Sequence, residues 1–255
     1  MPILPDSSKR PSRRYAHVTE QLVFDLAASE PPSFSNFLPG RNAEALATLQ
    51  ALSAGIVTET RVLIWGEPGV GKTHLLRAMA HAAQARGASA TYVADPGALL
   101  AQDPERLAGQ TIVGVDRIDL ATPDAQGVVF RLFNALNERK GHLVAASRVP
   151  PAALQLREDL RTRLGSGLVF EVAALADDEK AAALAAYAAQ RGMPIGDDVI
   201  AYLLAHGRRD MPALLATLTA LDRHSLAARR PITVPLLRDW LGRGESLTPT
   251  TKRPR

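Results

Sequence analysis

Apolar residues form five short runs between residues 61 and 172, and the segments between these runs are longer and more polar. The short runs predict β-strands at residues 61–65, 88–94, 111–116, 142–146 and 168–172. The intervening segments predict helices at residues 73–82 and 124–140, and a loop with a short helix from residue 95 to about residue 107. Strands that alternate with helices predict a parallel sheet with helices on both faces, which places the chain in the α/β class.

The pattern changes after about residue 175, where helices alone are predicted. Segments at residues 177–190, 197–206, 210–223 and 234–241 predict a small all-helical domain. Before the first strand, residues 43–53 predict another helix, with Asn42 as its N-cap. We therefore expect a flexible leader at residues 1–33, an α/β domain at 34–174, a helical domain at 175–242 and a disordered basic tail at 243–255.

Composition narrows the classes of protein that remain. The chain is 46% hydrophobic and 22% charged, as soluble globular proteins are, and it has no Cys, which excludes disulfides and Cys-ligated zinc. No apolar run approaches the roughly 18 residues of a membrane-spanning helix. The net charge of +4 comes largely from basic residues near the two ends, which either solubilise the chain or attract nucleic acid weakly.

The predicted strand at residues 61–65 leads directly into a G-x-x-x-x-G-K-T sequence. This loop consists of Gly66, Glu67, Pro68, Gly69, Val70, Gly71, Lys72 and Thr73, and His74 continues it into the next helix. Between a strand and a helix, such a loop presents backbone N–H groups to phosphates, while Lys72 reaches the β/γ-phosphates and Thr73 binds Mg²⁺. The sequence therefore predicts a nucleotide-binding site at the carboxyl edge of the sheet.

The predicted strand at residues 111–116 ends in Asp116, which we expect to orient Mg²⁺ through its water shell. Enzymes of this kind that hydrolyse their nucleotide usually have a second acid directly after this one, which polarises the attacking water. Arg117 occupies that position here and cannot act as a base, so intrinsic hydrolysis is expected to be slow. Asp119 is an alternative base that the sequence leaves open.

Two arginines, Arg161 and Arg163, precede a glycine turn and the last predicted strand. They form either surface salt bridges or a rigid cationic group that stabilises a phosphate during its transfer, and the residues alone leave both roles open. Arg209, before the third helix of the helical domain, is a further candidate for contact with the nucleotide. The six His residues show no convincing metal-ligand spacing, so we expect no metal other than Mg²⁺.

A short apolar hexamer lies within the leader, at residues 21–26. Two interpretations remain open: an edge strand that covers the domain surface, or a short linear motif that docks in a pocket of a partner protein. In the second interpretation Leu22, Phe24 and Leu26 anchor the motif.

Four segments together resemble the AAA+ core of the bacterial replication initiator DnaA. They are residues 34–42, residues 66–76 with their Gly-Lys-Thr-His-Leu-Leu run, residues 160–168, and Arg-Asp-Met at 209–211. The resemblance covers roughly residues 34–242, and we expect no helix-turn-helix domain like that of DnaA after it. The leader hexamer resembles the motif by which proteins dock on the DNA polymerase sliding clamp. This combination is similar to the Hda family of DnaA regulators.

The resemblance implies an AAA+ P-loop core followed by a small helical lid domain, in a bacterial, cytoplasmic protein that reaches the nucleoid through the clamp. It implies that ADP or ATP binds the phosphate loop with Mg²⁺, and that Gln21, Leu22, Phe24 and Leu26 contact the clamp. It further implies that Arg163 is an arginine finger offered in trans to ATP on DnaA, with Arg209 as a second sensor. Such a chain is at most a weak ATPase, and it prevents re-initiation of DNA replication by stimulating hydrolysis on DnaA.

Two other classes remain as alternatives: a helicase loader or DNA-associated ATPase of the same superfamily, and an independent ATPase. The leader hexamer disfavours the first class, and Arg117 disfavours the second. The chain departs from DnaA at residues 145–148, which lack the acid of the DnaA first sensor, so we assign no sensor there. Self-association, and contact with DNA through the clamp, are left open.

Overall fold

A five-stranded parallel sheet forms the centre of the fold in a computed structural model, which describes residues 31–208 and 210–242. Its strands are β1 (Arg61–Trp65), β2 (Ala90–Val93), β3 (Ile112–Val115), β4 (His142–Ser147) and β5 (Leu168–Glu171). They lie in the order β2-β3-β4-β1-β5, and each neighbouring pair is parallel. The predicted α/β class with a parallel sheet is confirmed.

Helices precede, connect and follow the strands. They are α1 (Ala43–Ser53), α2 (Lys72–Ala85), α3 (Pro104–Ala108), α4 (Pro123–Glu138), α5 (Glu158–Gly165), α6 (Asp177–Gln190), α7 (Asp197–His206), α8 (Met211–Ala228) and α9 (Val234–Gly242), with short 3-10 helices at Gly40–Asn42, Pro96–Ala101, Ile118–Leu120 and Pro151–Ala153. None of the helices in the described ranges is long and apolar enough to cross a membrane.

Each face of the sheet has its own apolar core, because successive side chains of a strand point to opposite sides. Leu63 of β1 packs with Val113 and Leu143 on one side, where α4 contributes its apolar face. Val62 and Ile64 pack on the other side against α1 and α2. This burial on both faces explains why the strands are nearly continuous apolar runs.

Helices α6 to α9 enclose a separate apolar core. Leu184 of α6, Leu203 of α7, Leu218 of α8 and Leu237 of α9 all have no measurable exposure in it. The all-helical segment predicted after the sheet is therefore confirmed.

Two helices differ most from the prediction, for local physical reasons, and α2 also continues to Ala85 beyond the predicted end at residue 82. The sequence pattern predicts no helix where the structure has α5, because Leu160 and Leu164 are its only buried positions and the helix has eight residues. The predicted end of the third helix at residue 223 is wrong, since α8 continues to Ala228. Leu226 in this extension is 71% exposed, so no buried face marks the additional turn.

The predicted N-cap role of Asn42 is also wrong. Its side chain makes no capping hydrogen bond to α1. Instead, Asn42 Nδ2 donates to the carbonyl oxygen of Ala173 at 2.9 Å, and the Ala173 N–H donates to Asn42 Oδ1 at 2.7 Å. Asn42 is 3% exposed, so these paired bonds join the start of α1 to the segment after β5 in a buried environment.

Candidate nucleotide-binding site

The glycine-rich loop at residues 66–73 begins at the carboxyl end of β1 and ends in the first turn of α2. The Gly66 N–H donates to the carbonyl oxygen of Ser147, the last residue of β4, at 3.2 Å. A Cβ at Gly66 would lie 2.3 Å from the carbonyl oxygen of Val172, so a side chain cannot be accommodated there. The loop therefore starts between the ends of β4 and β5, at the edge where open α/β sheets bind their ligands.

Phe37 and His74 pack around the other end of the loop. Gly71 has a φ of 106°, in the region that favours glycine, and a Cβ there would lie 2.7 Å from Phe37 Cε2. The rings of Phe37 and His74 are 5.6 Å apart, and His74 Nε2–H donates to the carbonyl oxygen of Ser33 at 2.8 Å. The segment at residues 33–37 is thus held against the start of α2, while nucleotide contact by His74 stays a prediction.

Lys72 lies within the curve of the loop backbone. Its Nζ donates to the carbonyl oxygens of Gly66 and Glu67 at 2.6 and 2.7 Å, and the residue is 8% exposed. Burial lowers the pKa of the Lys72 ammonium below its ordinary value, although the nearby carboxylates of Asp116 and Asp119 oppose this shift. A buried cation of this kind is well matched to an anionic phosphate.

Asp116, directly after β3, accepts hydrogen bonds from three groups around it. The hydroxyls of Thr73 and Tyr92 donate to its Oδ2 at 2.6 and 3.0 Å, and the Arg117 N–H donates to its Oδ1 at 2.9 Å. The structure thus brings together Thr73 and Asp116, the two residues predicted to hold Mg²⁺. Tyr92 is not among the predicted site residues. Burial, and then the Asp116 charge, raise the pKa of Tyr92, so it donates as a neutral phenol at neutral pH.

Two charged residues follow Asp116: Arg117, which has no carboxylate, and Asp119, whose carboxylate is not free. Arg117 has a left-handed backbone, with a φ of 52°, and its guanidinium donates to the carbonyl oxygen of Ala94 at 2.9 and 3.0 Å. The Asp119 side chain is 7% exposed and is paired with Arg148, whose Nε lies 2.6 Å from Asp119 Oδ2 and whose N–H donates to Oδ1 at 3.2 Å. Both oxygens of the Asp119 carboxylate are therefore engaged by Arg148. Sequence reasoning did not indicate this ion pair.

The residues of the loop fit a nucleotide phosphate with Mg²⁺. The loop ends at the N-terminus of the 14-residue helix α2, where free N–H groups and the helix dipole favour an anion. Lys72 adds a cation to this position. The Thr73 hydroxyl and the Asp116 carboxylate are oxygen ligands of the kind that Mg²⁺ prefers, directly or through water.

Arg163 lies in the last turn of α5 and packs against α4. Its Nη1 donates to Asn134 Oδ1 at 3.0 Å, and its guanidinium carbon is 4.8 and 5.1 Å from the ring centroids of Phe130 and Phe133. Together with Arg157 and its neighbours it lines an open surface depression of about 650 Å³.

The contacts of the Arg163 side chain in the described residues are with α4, and none joins it to the phosphate loop. Just after α5, Ser166 Oγ accepts a hydrogen bond from Arg61, the first residue of β1, at 3.4 Å. The phosphate loop instead follows Trp65, the last residue of the same strand. Since a five-residue strand spans about 13 Å, the end of α5 and the start of the phosphate loop lie at opposite ends of β1.

Five of the predicted site residues lie outside the described part of the chain. They are Gln21, Leu22, Phe24 and Leu26 of the leader, and Arg209 before α8. The residue that follows, Asp210, caps α8 by accepting the Ala213 N–H at 3.0 Å. A Cβ at Gly69 would lie 3.1 Å from Asp210 Cβ, so the start of α8 approaches the phosphate loop.

Two segments of the chain match known protein families. Residues 29–95 match the family model of the bacterial DnaA ATPase domain, and residues 177–241 match that of the Hda lid domain. The first segment contains β1, the phosphate loop and β2, and the second contains the helices α6 to α9.

Solved structures share this fold at low sequence identity. AMPPCP-bound DnaA from Aquifex aeolicus is 20% identical with a TM-score of 0.67, over 76% of this chain and 65% of that one. Domain III of DnaA from Thermotoga maritima is 16% identical with a TM-score of 0.73, over 84% of this chain and 97% of that one. The RuvB Holliday junction branch migration motor of Thermotoga maritima is 16% identical with a TM-score of 0.62, over 83% and 72%. The chain spans less than two thirds of the Aquifex DnaA chain, and these likenesses show the AAA+ fold.

Proposed function

We propose that this chain, an AAA+ protein related to DnaA and Hda, stimulates hydrolysis of the ATP bound to DnaA while it is docked on the DNA polymerase sliding clamp. The position of Arg163 is the observation that supports this proposal most directly. Within the described residues, Arg163 contacts α4 and not the chain's own phosphate loop, and it lines an open surface depression. An arginine in that place is suited to the nucleotide of another molecule.

The chain's own phosphate loop binds ADP or ATP with Mg²⁺ in this proposal, and it acts mainly as a switch. Lys72 and Thr73 hold the phosphates and the metal together with Asp116. Slow hydrolysis at this site is supported by the surroundings of Asp116, because Arg117 replaces the usual acid and Asp119 is paired with Arg148. Because the site turns over its own nucleotide slowly, the bound nucleotide sets the form of the protein that engages its partners.

The finger role of Arg163 has a chemical basis in its side chain. A guanidinium is permanently charged and presents donors in a fixed fork that matches a transferring phosphate. Supplied in trans, such a group contributes about 10³–10⁵ in rate. Asn134 and the two Phe rings of α4 hold the guanidinium near the surface, which reduces the entropy lost when it meets a phosphate.

Docking on the clamp is assigned to the leader motif at Gln21, Leu22, Phe24 and Leu26. Spaced apolar anchors on a short segment are suited to a hydrophobic pocket on a partner. Arg209 completes the nucleotide site in this proposal as the second sensor, and the approach of its neighbour Asp210 to Gly69 supports that role.

The test measures ATP hydrolysis by DnaA in the presence of DNA-loaded clamp and this chain. Arg163→Ala is expected to retain clamp and ADP binding but to lose most of the stimulation. Arg161→Ala is the matched control, because it removes the same charge from the same helix two residues away. Stimulation by Arg163→Ala equal to that of the unaltered chain would remove the finger assignment.

A second experiment tests the docking step alone. Replacement of Gln21 and Leu22 by Ala is expected to abolish capture of the chain by immobilised clamp, with ADP binding unchanged. Full capture of this variant would contradict the docking assignment. Rapid ATP turnover by the purified chain alone would favour an independent ATPase instead.

A further inference from the structure

Tyr92 of β2 contacts the carboxylate assigned to Mg²⁺, although it belongs neither to the phosphate loop nor to β3. Its hydroxyl donates to Asp116 Oδ2, the same oxygen that accepts the Thr73 hydroxyl. We propose that Tyr92 is a positioning residue, which fixes the Asp116 carboxylate in the orientation that holds Mg²⁺ beside Thr73. This inference rests on the nucleotide site of the proposed function.

The register of the sheet explains how a side chain of β2 reaches the end of β3. Tyr92 is paired with Gly114, and the Asp116 N–H extends the ladder by donating to Val93 at 2.9 Å. Because side chains alternate between faces, Tyr92, Gly114 and Asp116 face the same side of the sheet.

Arg77 of α2 holds the Tyr92 ring in place. Its guanidinium carbon lies 4.9 Å from the ring centroid, a distance at which a cation is attracted to an aromatic face. Arg77 comes four residues after Thr73, so the two side chains share one face of α2. Thr73, Arg77, Tyr92 and Asp116 therefore form one connected cluster across α2, β2 and β3.

The hydrogen bonds of this cluster restrict the Asp116 carboxylate. An ionised carboxylate has about four acceptor positions, and Thr73, Tyr92 and the Arg117 N–H use three of them within the described residues. The carboxylate cannot rotate without breaking at least one of these bonds. The remaining position is free for a metal-bound water. Partners that orient metal ligands in this way typically affect metal affinity by about 10–100-fold.

The experiment compares Tyr92→Phe with the unaltered full-length chain in Mg²⁺ titrations of fluorescent ADP binding. This substitution removes one oxygen and keeps the ring under Arg77. Tyr187→Phe is the matched control, because it removes the hydroxyl that bonds to Thr219 at 2.9 Å in the helical part of the chain. We expect the Mg²⁺ concentration that gives half of the maximal gain in ADP affinity to be about tenfold higher in Tyr92→Phe. The affinity of this variant for ADP in EDTA, where no Mg²⁺ is available, is expected to be unchanged. The control is expected to match the unaltered chain.

Two results would overturn the positioning role. One is a Mg²⁺ titration of Tyr92→Phe that matches the unaltered chain. The other is an equal loss of ADP affinity with and without Mg²⁺, which indicates a structural role. Should Tyr92→Phe fail to fold, Arg77→Met is expected to shift the Mg²⁺ titration in the same direction by a smaller factor, and no shift would count against the proposal. Failure of the unaltered chain to bind ADP at all would overturn the proposed nucleotide site as well as this inference.

Discussion

Replacement of Lys72 by Ala is predicted to abolish the stabilisation of the fold by ADP. The Lys72 ammonium is buried, and its two carbonyl partners belong to the loop that curves around the phosphate position. A ligand that binds the folded state alone adds about 2.7 kcal/mol of stability at a hundredfold excess over its Kd. Because 1 kcal/mol moves the Tm of a domain of this size by about 2–4 °C, saturating ADP should raise the Tm by about 5–11 °C.

Thermal unfolding with and without Mg²⁺-ADP measures this shift. Lys72→Ala is expected to fold and to show no rise in Tm at the ADP concentration that saturates the unaltered chain. Lys180→Ala is a matched control, because Lys180 is equally buried and is paired with Asp177 at 3.1 Å in the helical part of the chain. We expect the control to keep the full shift even if its own Tm is lower. An equal ADP shift in Lys72→Ala and the unaltered chain would refute the role of the loop.

Three further experiments test the buried Asn42, the helical core and the pairing of Asp119. Asn42→Ala is expected to destabilise the fold in urea unfolding by about 0.5–1.5 kcal/mol for each of the two hydrogen bonds to Ala173 that it removes, and an unchanged midpoint would contradict this. Leu184→Ala is expected to cost about 2–5 kcal/mol in the same assay, whereas Leu226→Ala at an exposed position should stay within about 0.5 kcal/mol. Arg148→Gln frees Asp119 and is expected to speed intrinsic ATP hydrolysis, by up to about 10²-fold if Asp119 then acts as a base. Phosphate release at the original rate would show that the ion pair does not limit hydrolysis.

Some elements could be predicted from the sequence with accurate bounds. The helices α6 and α7 begin and end where the pattern places them, and so does β1. Helix α5 could not be predicted, because it has only eight residues, of which two leucines are buried. The N-cap role of Asn42 failed for another reason: Ala173, its actual partner, is 131 residues away in sequence. The preference of Asn for helix N-termini is a local pattern and cannot indicate a contact with a residue so distant in sequence.

In the candidate site, too, local sequence patterns could be predicted and contacts between distant residues could not. The pairing of Thr73 with Asp116 follows from a short motif and a strand that ends in an acid, both of which are local patterns. Tyr92 reaches Asp116 because β2 lies beside β3 in register, and Arg148 reaches Asp119 because β4 lies on the other side of β3. Strand order and register determine these contacts, and the single sequence does not specify either one.

The most direct test of the central claim asks on which protein the accelerated hydrolysis takes place. DnaA is loaded with ATP labelled on its γ-phosphate, this chain is loaded with unlabelled ADP, and both are mixed with DNA-loaded clamp. The account predicts that labelled phosphate is released much faster than from DnaA alone, and that omission of either the clamp or this chain removes the acceleration. Labelled phosphate that appears quickly when the label is on this chain, with no acceleration when the label is on DnaA, would contradict the account.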